Sequence, residues 1–263
     1  MTEAKQAPQL CSVSLSDLAE VVAAGVRDFR AAPSYGLFFA LLYAGAGWLL
    51  VALLWRFGMP YLAYPLAMGF ALIAPFAATG FYAVSDCLER GTPLSWPVVL
   101  GTVRNTSRSE LRWMALVTGF ALVIWMDIAA FILFAFSSFQ MISVESFQNL
   151  LSTPAGLVFA VIGNAAGAVI AFAVFSISVI SFPMLYDREV DFVTAMTTSV
   201  KLVIANPQAM MAWCAFIGFC MLLSVATAFI GLLLAMPVIG HSTWHLYRHA
   251  VVPEGNRARS ADA

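Results

Sequence analysis

AMMAWCAFIGFCMLLSVATAFIGLLLAMPVIG, residues 209 to 240, decides how this chain is built. A helix needs about 20 residues to cross a hydrocarbon core of about 30 Å, so the run is too long for one upright crossing. It is either a strongly tilted helix or a tight hairpin whose second arm continues through HSTWHLYRHA to Ala250. Four other apolar runs are long enough to cross: residues 35–55, 61–84, 111–136 and 156–185. Charge placement chooses between five and six crossings. With six spans and both termini inside, Lys5, Arg27, Arg30, Arg90, Arg104, Arg108, Arg112, Arg188, Lys201, Arg248, Arg257 and Arg259 all fall on the cytoplasmic side, and only Arg56 falls outside. With five, Arg248, Arg257 and Arg259 move outside. The positive-inside rule favours six, with the last two at 209–228 and 232–250.

Composition agrees. The chain of 263 residues is 62% hydrophobic and 10% charged, against roughly 45–50% and 25% for soluble proteins. A soluble fold of this length has too little interior for that much apolar side chain. The expected class is therefore all-α, a polytopic membrane helical bundle. A formal net charge of −1 says nothing about nucleic acid, no basic arm or Arg-rich tail argues for it, and no nucleic-acid partner is expected. Cys11, Cys87, Cys214 and Cys220 form no C-x-x-C pair and read as unpaired thiols. Residues 1–33 carry charges throughout and no apolar run before a small-residue cleavage site, so no signal peptide is expected and the first span serves as the insertion signal. Residues 14–251 read as one integral membrane domain, between disordered tails at 1–13 and 252–263.

The segments between spans repeat. SLSDLAEVVAAGVRDFRAAP (14–33) precedes the first span and REVDFVTAMTTSVKLVIANP (188–207) precedes the fifth. Each has apolar residues at helical spacing and a Val-basic pair (Val26-Arg27, Val200-Lys201) six residues before its proline. Before the third span, TPLSWPVVLGTVRNTSRSE contains Val103-Arg104, and Thr92-Pro93 reads as an N-cap with a first-turn proline. The unit is an amphipathic helix followed by two spans, three times over. The three amphipathic helices are expected on the cytoplasmic side.

DREVDFVTAMTTSVKLVIANPQAM (187–210), GLLLAMPVIGHSTWHLYR (231–248) and FYAVSDCLERGTPLSW (81–96) together resemble a family of predicted bacterial integral membrane proteins, domain of unknown function 2189. The resemblance covers most of residues 15–251. It implies a bacterial inner-membrane protein with no established activity.

Few residues carry chemistry. The histidines recur at i, i+4 and i+8 as His241, His245 and His249, roughly on one helix face. His241 is expected near the membrane midplane and His245 nearer the cytoplasmic interface. Two imidazoles one turn apart can share a metal, and His241 alone could be an axial haem ligand. A metal usually takes three or four ligands, however, and no carboxylate lies one turn away. His241 is therefore read as a buried, hydrogen-bonded side chain and His245 as part of an interfacial anchor, with no metal or cofactor expected. Asp127 (VIWMDIAAF) and Asn164 (VIGNAAGAV) are the intramembrane polar pair, expected to bond spans 3 and 4 together or to serve a transport path. Gly163 and Gly167 beside Asn164 suggest close helix packing. Arg104, Arg108 and Arg112 form a basic stripe for lipid headgroups. The acids around Asp187 and Asp191 read as a helix N-terminal cap. No P-loop, G-x-S-x-G or dinucleotide fingerprint occurs.

The expected function is that of a non-enzymatic structural, assembly or interaction factor. Its partners are the lipid bilayer and either another membrane protein or a second copy of the chain. The alternatives are a small-solute or proton-coupled transporter using Asp127 and Asn164, and a haem- or metal-handling protein using His241 and His245.

Overall fold

The computed structural model describes residues 8–70, 72, 74–105, 109–137 and 152–252. Among them, eleven α-helices follow in chain order: α1 (Leu15–Ala31), α2 (Pro33–Arg56), α3 (Ala63–Phe70), α4 (Ala74–Arg90), α5 (Trp96–Asn105), α6 (Ser109–Phe136), α7 (Pro154–Ser178), α8 (Ser181–Asp187), α9 (Phe192–Ala205), α10 (Pro207–Ala226) and α11 (Leu232–Ala250). A short 3₁₀ turn, Pro60–Leu62, precedes α3.

Four helical stretches are long and apolar enough to cross a membrane: Pro33–Arg56, Glu110–Phe136, Pro154–Asp187 and Pro207–Ala226. The expected second and sixth spans are not among them, for different reasons. Residues 61–84 are split between α3 and α4. Pro75 has no N–H to donate and is best tolerated in a helix's first turn, which is where it stands in α4; α3 ends at Phe70 and α4 starts at Ala74. α11 keeps the expected bounds, but its second half carries Ser242, Thr243, Arg248 and all three histidines.

The side chains divide the molecule into two zones. Along α6, α7 and α10, large apolar groups face outward: Phe120 is 65% exposed, Phe131 67%, Val169 70% and Phe219 59%. Soluble proteins do not carry apolar surface on that scale; these faces suit lipid. At the other end, Phe81, Tyr82, Phe182, Met184, Met210, Trp213, Trp244 and Tyr247 are fully or almost fully buried in one core. Most of α11 is buried there too.

Helix ends are set locally. Ser14 and Asp17 make a capping box at the start of α1, and Asp191 caps α9 by accepting from the Thr194 N–H at 2.8 Å. α4 ends in a Schellman motif: Gly91 has φ +63°, its N–H bonds Leu88 O, and Thr92 N–H bonds Cys87 O at 3.0 Å. Thr92 thus closes α4 and is not the N-cap of α5, which begins four residues later at Trp96.

The helix order repeats three times as a short helix followed by two longer stretches: α1 then α2 and α3/α4, α5 then α6 and α7/α8, α9 then α10 and α11. Each short helix packs chiefly on the preceding unit and not on its own. α1 lies antiparallel along α11 and touches α10, α5 packs on α4, and α9 packs on α6, α7 and α8. Gly25 lets α1 approach: a Cβ there would sit 2.7 Å from Ser242 N and 2.9 Å from Val238 O. The exchange closes the three units into a ring. Near its seam, residues 9–13 are held down before α1 begins, earlier than the expected domain boundary. Cys11 N–H bonds Ala250 O at 2.9 Å, Val252 N–H bonds Gln9 O at 3.1 Å, and Val13 N–H bonds Asn206 Oδ1 at 2.8 Å.

Candidate functional site

The third stretch of each unit ends in a residue pair closing on arginine: Glu89-Arg90, Asp187-Arg188 and Tyr247-Arg248. These three ends converge, and each arginine reaches the first residue of the next unit's pair. Arg90 Nη2 lies 3.7 Å from Asp187 Oδ1. Arg188 Nε donates to Tyr247 Oη at 2.8 Å. Arg248 Nε and Nη2 donate to Glu89 Oε1 at 3.0 and 2.8 Å. Tyr247 Oη in turn donates to Asp187 Oδ2 at 2.6 Å, and Trp244 Nε1 donates to Glu89 Oε2 at 3.0 Å. Directly against this ring, one aromatic side chain from each unit makes a closed cluster. Tyr186 and Trp244 centroids are 5.5 Å apart, Tyr82 and Trp244 6.3 Å, Tyr82 and Tyr186 6.4 Å.

A second polar chain lies where α1 crosses α4 and α11. Ser85 Oγ donates to Asp28 Oδ2 at 2.7 Å and meets His241 Nδ1 at 2.8 Å, while His245 Nε2 meets the same Asp28 oxygen at 2.7 Å. A hydroxyl has a single proton. Because Ser85 gives it to the carboxylate, His241 must donate from Nδ1. Its Nε2 is then a bare lone pair, and that atom is buried with no partner among the described residues. Burial pushes the Asp28 carboxyl up, but the hydrogen bonds from His245 and Ser85 outweigh it and hold the carboxyl below its ordinary value. His249, more exposed, lies 3.4 Å from Asp17.

His241 thus is fully buried and meets α4 at Ser85, which in turn bonds Asp28 of α1. Nothing in the sequence marked Asp28, Ser85, Glu89 or Tyr247 as partners. The signal available was that SDCLER, DR and HSTWHLYR, the strings behind the family resemblance, end the three units and meet in space. Asp127 and Asn164 are not brought together. Asp127 is exposed on α6, whereas Asn164 accepts from Tyr64 Oη at 2.7 Å and donates to Ala160 O at 2.8 Å. Gly167 admits Trp125, which would lie 2.9 Å from a Cβ there, but Gly163 has nothing within 4 Å. Of the basic stripe, Arg112 is exposed near the start of α6; Arg104 is in α5, and Arg108 lies outside the described residues. Asp191 caps α9 as expected; Asp187 instead ends α8 and joins the arginine ring.

Between α3, α4, α6, α7, α10 and α11 lies a cavity of about 430 Å³, lined mainly by apolar side chains and small residues. Its lining includes Asn164, Tyr64, Tyr82, Trp213 and Thr243, but not Asp127.

Residues 63–187 match the family model described as a predicted integral membrane protein, domain of unknown function 2189. The match runs from the start of α3 to the end of α8, takes in SDCLER and Asp187, and bears out the resemblance over those residues; the strings at 188–210 and 231–248 lie outside it. Neither the curated proteins nor the solved structures gave a match to the chain.

Proposed function

We propose that the chain is a six-span bundle of the bacterial inner membrane, with both termini cytoplasmic, that works without catalysis as a structural, assembly or interaction factor. α3/α4 and α11 complete the six spans, and α1, α5 and α9 are its cytoplasmic amphipathic helices. One observation carries this: the charged groups at the converging helix ends bond one another across the three units. Arg188, Arg248 and Glu89 hold helix ends together, and His245 and Ser85 hold α1 through Asp28. Such a network fixes a scaffold. The transporter alternative loses support because Asp127 is off the cavity and the cavity is apolar.

The buried lone pair on His241 Nε2 favours a second reading, a haem or metal ligand at that atom. Purified protein distinguishes them. The scaffold reading expects no Soret band and less than stoichiometric iron, copper or zinc. A bound group that His241→Ala removes while the protein stays folded would establish the second reading.

A further inference from the structure

We infer that the exposed face of α6 around Asp127 docks a transmembrane helix of another protein that carries a lysine or arginine near mid-span. The inference deepens the interaction-factor reading proposed above, and it rests on α6 crossing the membrane. Among the described residues of the four long apolar stretches, Asp127 is the one charged side chain away from their ends. At 1.5 Å per residue it stands about 22 Å along α6 from Arg112 and about 13 Å from Phe136. With Arg112 at the headgroups of a hydrocarbon core about 30 Å thick, Asp127 lies inside that core.

An acid at that level ordinarily faces the bundle interior or a water-filled path and has a partner. Asp127 has neither. It is exposed and lines no part of the cavity, and no hydrogen bond or ion pair among the described residues uses it. The helix surface around it is apolar. Leu116, Phe120, Val123, Phe131 and Phe134 are all exposed, and with 3.6 residues per turn they lie within about 40° of Asp127 around the axis. Apolar residues three and four apart in such a stripe form the seam on which a second helix packs, and a single polar residue within it fixes the register.

Charge decides the occupant. Lipid tails offer the carboxyl no partner. A second copy docked on the same face brings only its own Asp127 to the contact, because the arginines of the four stretches, Arg56 and Arg112, stand at their ends. A lysine or arginine on a foreign helix is as costly alone in hydrocarbon as the acid is. Pairing the two offsets both costs at once, whereas a neutral polar partner offsets only the acid's.

The test places the full chain in phosphatidylcholine vesicles with a model peptide. The peptide is a leucine-alanine helix long enough to span, with one lysine at its centre and a dansyl acceptor at one end. Energy transfer from the protein's tryptophans reports docking. Saturable transfer is expected, at least about tenfold tighter for the lysine peptide than for the same peptide with glutamine or leucine at that place. Moving the lysine to the peptide's end should remove the preference. Asp127→Leu should remove it too, without lowering the melting temperature. Asp127→Asn, which keeps an acceptor and loses the charge, should bind the lysine and glutamine peptides alike. Equal affinity of the wild-type chain for the lysine and leucine peptides, or a lysine preference that survives Asp127→Leu, would overturn the proposal. So would a copper-phenanthroline disulfide between two copies bearing Val123→Cys in a cysteine-free background, which would put a second copy on this face. The membrane reading fails separately, if Ser109→Cys and Ser137→Cys at the two ends of α6 are labelled from the same side; the docking proposal fails with α6 crossing and no lysine preference.

Discussion

Asp28 shows what a single side chain does here. Its Oδ2 accepts from Ser85 and His245, so Asp28→Ala strands two donors in a half-buried site. A loss of about 1–3 kcal/mol is expected. In a double-mutant cycle with His245→Ala, chemical denaturation in detergent should give a coupling of at least about 0.5 kcal/mol; additive losses would mean that the pair does not interact. The sign of the pH effect follows from the lowered folded value. A carboxyl held below its unfolded pKa of about 3.9 contributes stability that is present above that pH and is lost as pH falls through the folded value. Melting temperature should therefore drop more steeply below about pH 4 in wild type than in Asp28→Asn. Parallel curves would remove this role. The histidine spacing was legible in the sequence because it is local. Asp28 was not, because its bond to His245 spans 217 positions and depends on α1 folding against the third unit.

At the scale of elements, glycines separate contact from propensity. Gly25→Ala places a Cβ against Ser242 N and Val238 O, backbone atoms that cannot rotate away. It should destabilise by about 1–3 kcal/mol. Gly101, inside α5 with nothing within 4 Å, should behave oppositely: Gly101→Ala should gain about 0.5–1 kcal/mol from helix propensity. Thermal melts of the two variants check both signs, and equal effects would contradict the packing of α1 on α11. The long apolar helices were legible because hydropathy is summed over many residues. The break between α3 and α4 was missed although Pro65 and Pro75 stood in the string, because a window of apolar residues hides a proline. The reading of Thr92 failed for a related reason. A Thr-Pro pair fits a helix start, but Gly91 just before it supplies the left-handed residue that ends one.

Across the whole molecule, the three units form a ring through their arginines, and the links differ in burial. Arg188 is 7% exposed and Arg90 61%. Arg188→Ala should cost about 2–4 kcal/mol by leaving Asp187 and Tyr247 short of a donor, whereas Arg90→Ala should cost less than about 1 kcal/mol. Equal losses on denaturation would argue against a closed ring. The repeat itself could be read from the sequence, as two Val-basic-Pro segments, but the exchange of short helices between units could not, since periodicity reports which face is apolar and not which neighbour covers it. The most direct test of the architecture is whether α11 crosses the membrane. In a cysteine-free background, Thr227→Cys, in the turn before α11, and Ser260→Cys, beyond it, are exposed separately to an impermeant thiol reagent on whole cells. Six spans with both termini inside predict labelling at 227 and protection at 260 until the cells are opened. Equal labelling of the two positions in intact cells would contradict the account.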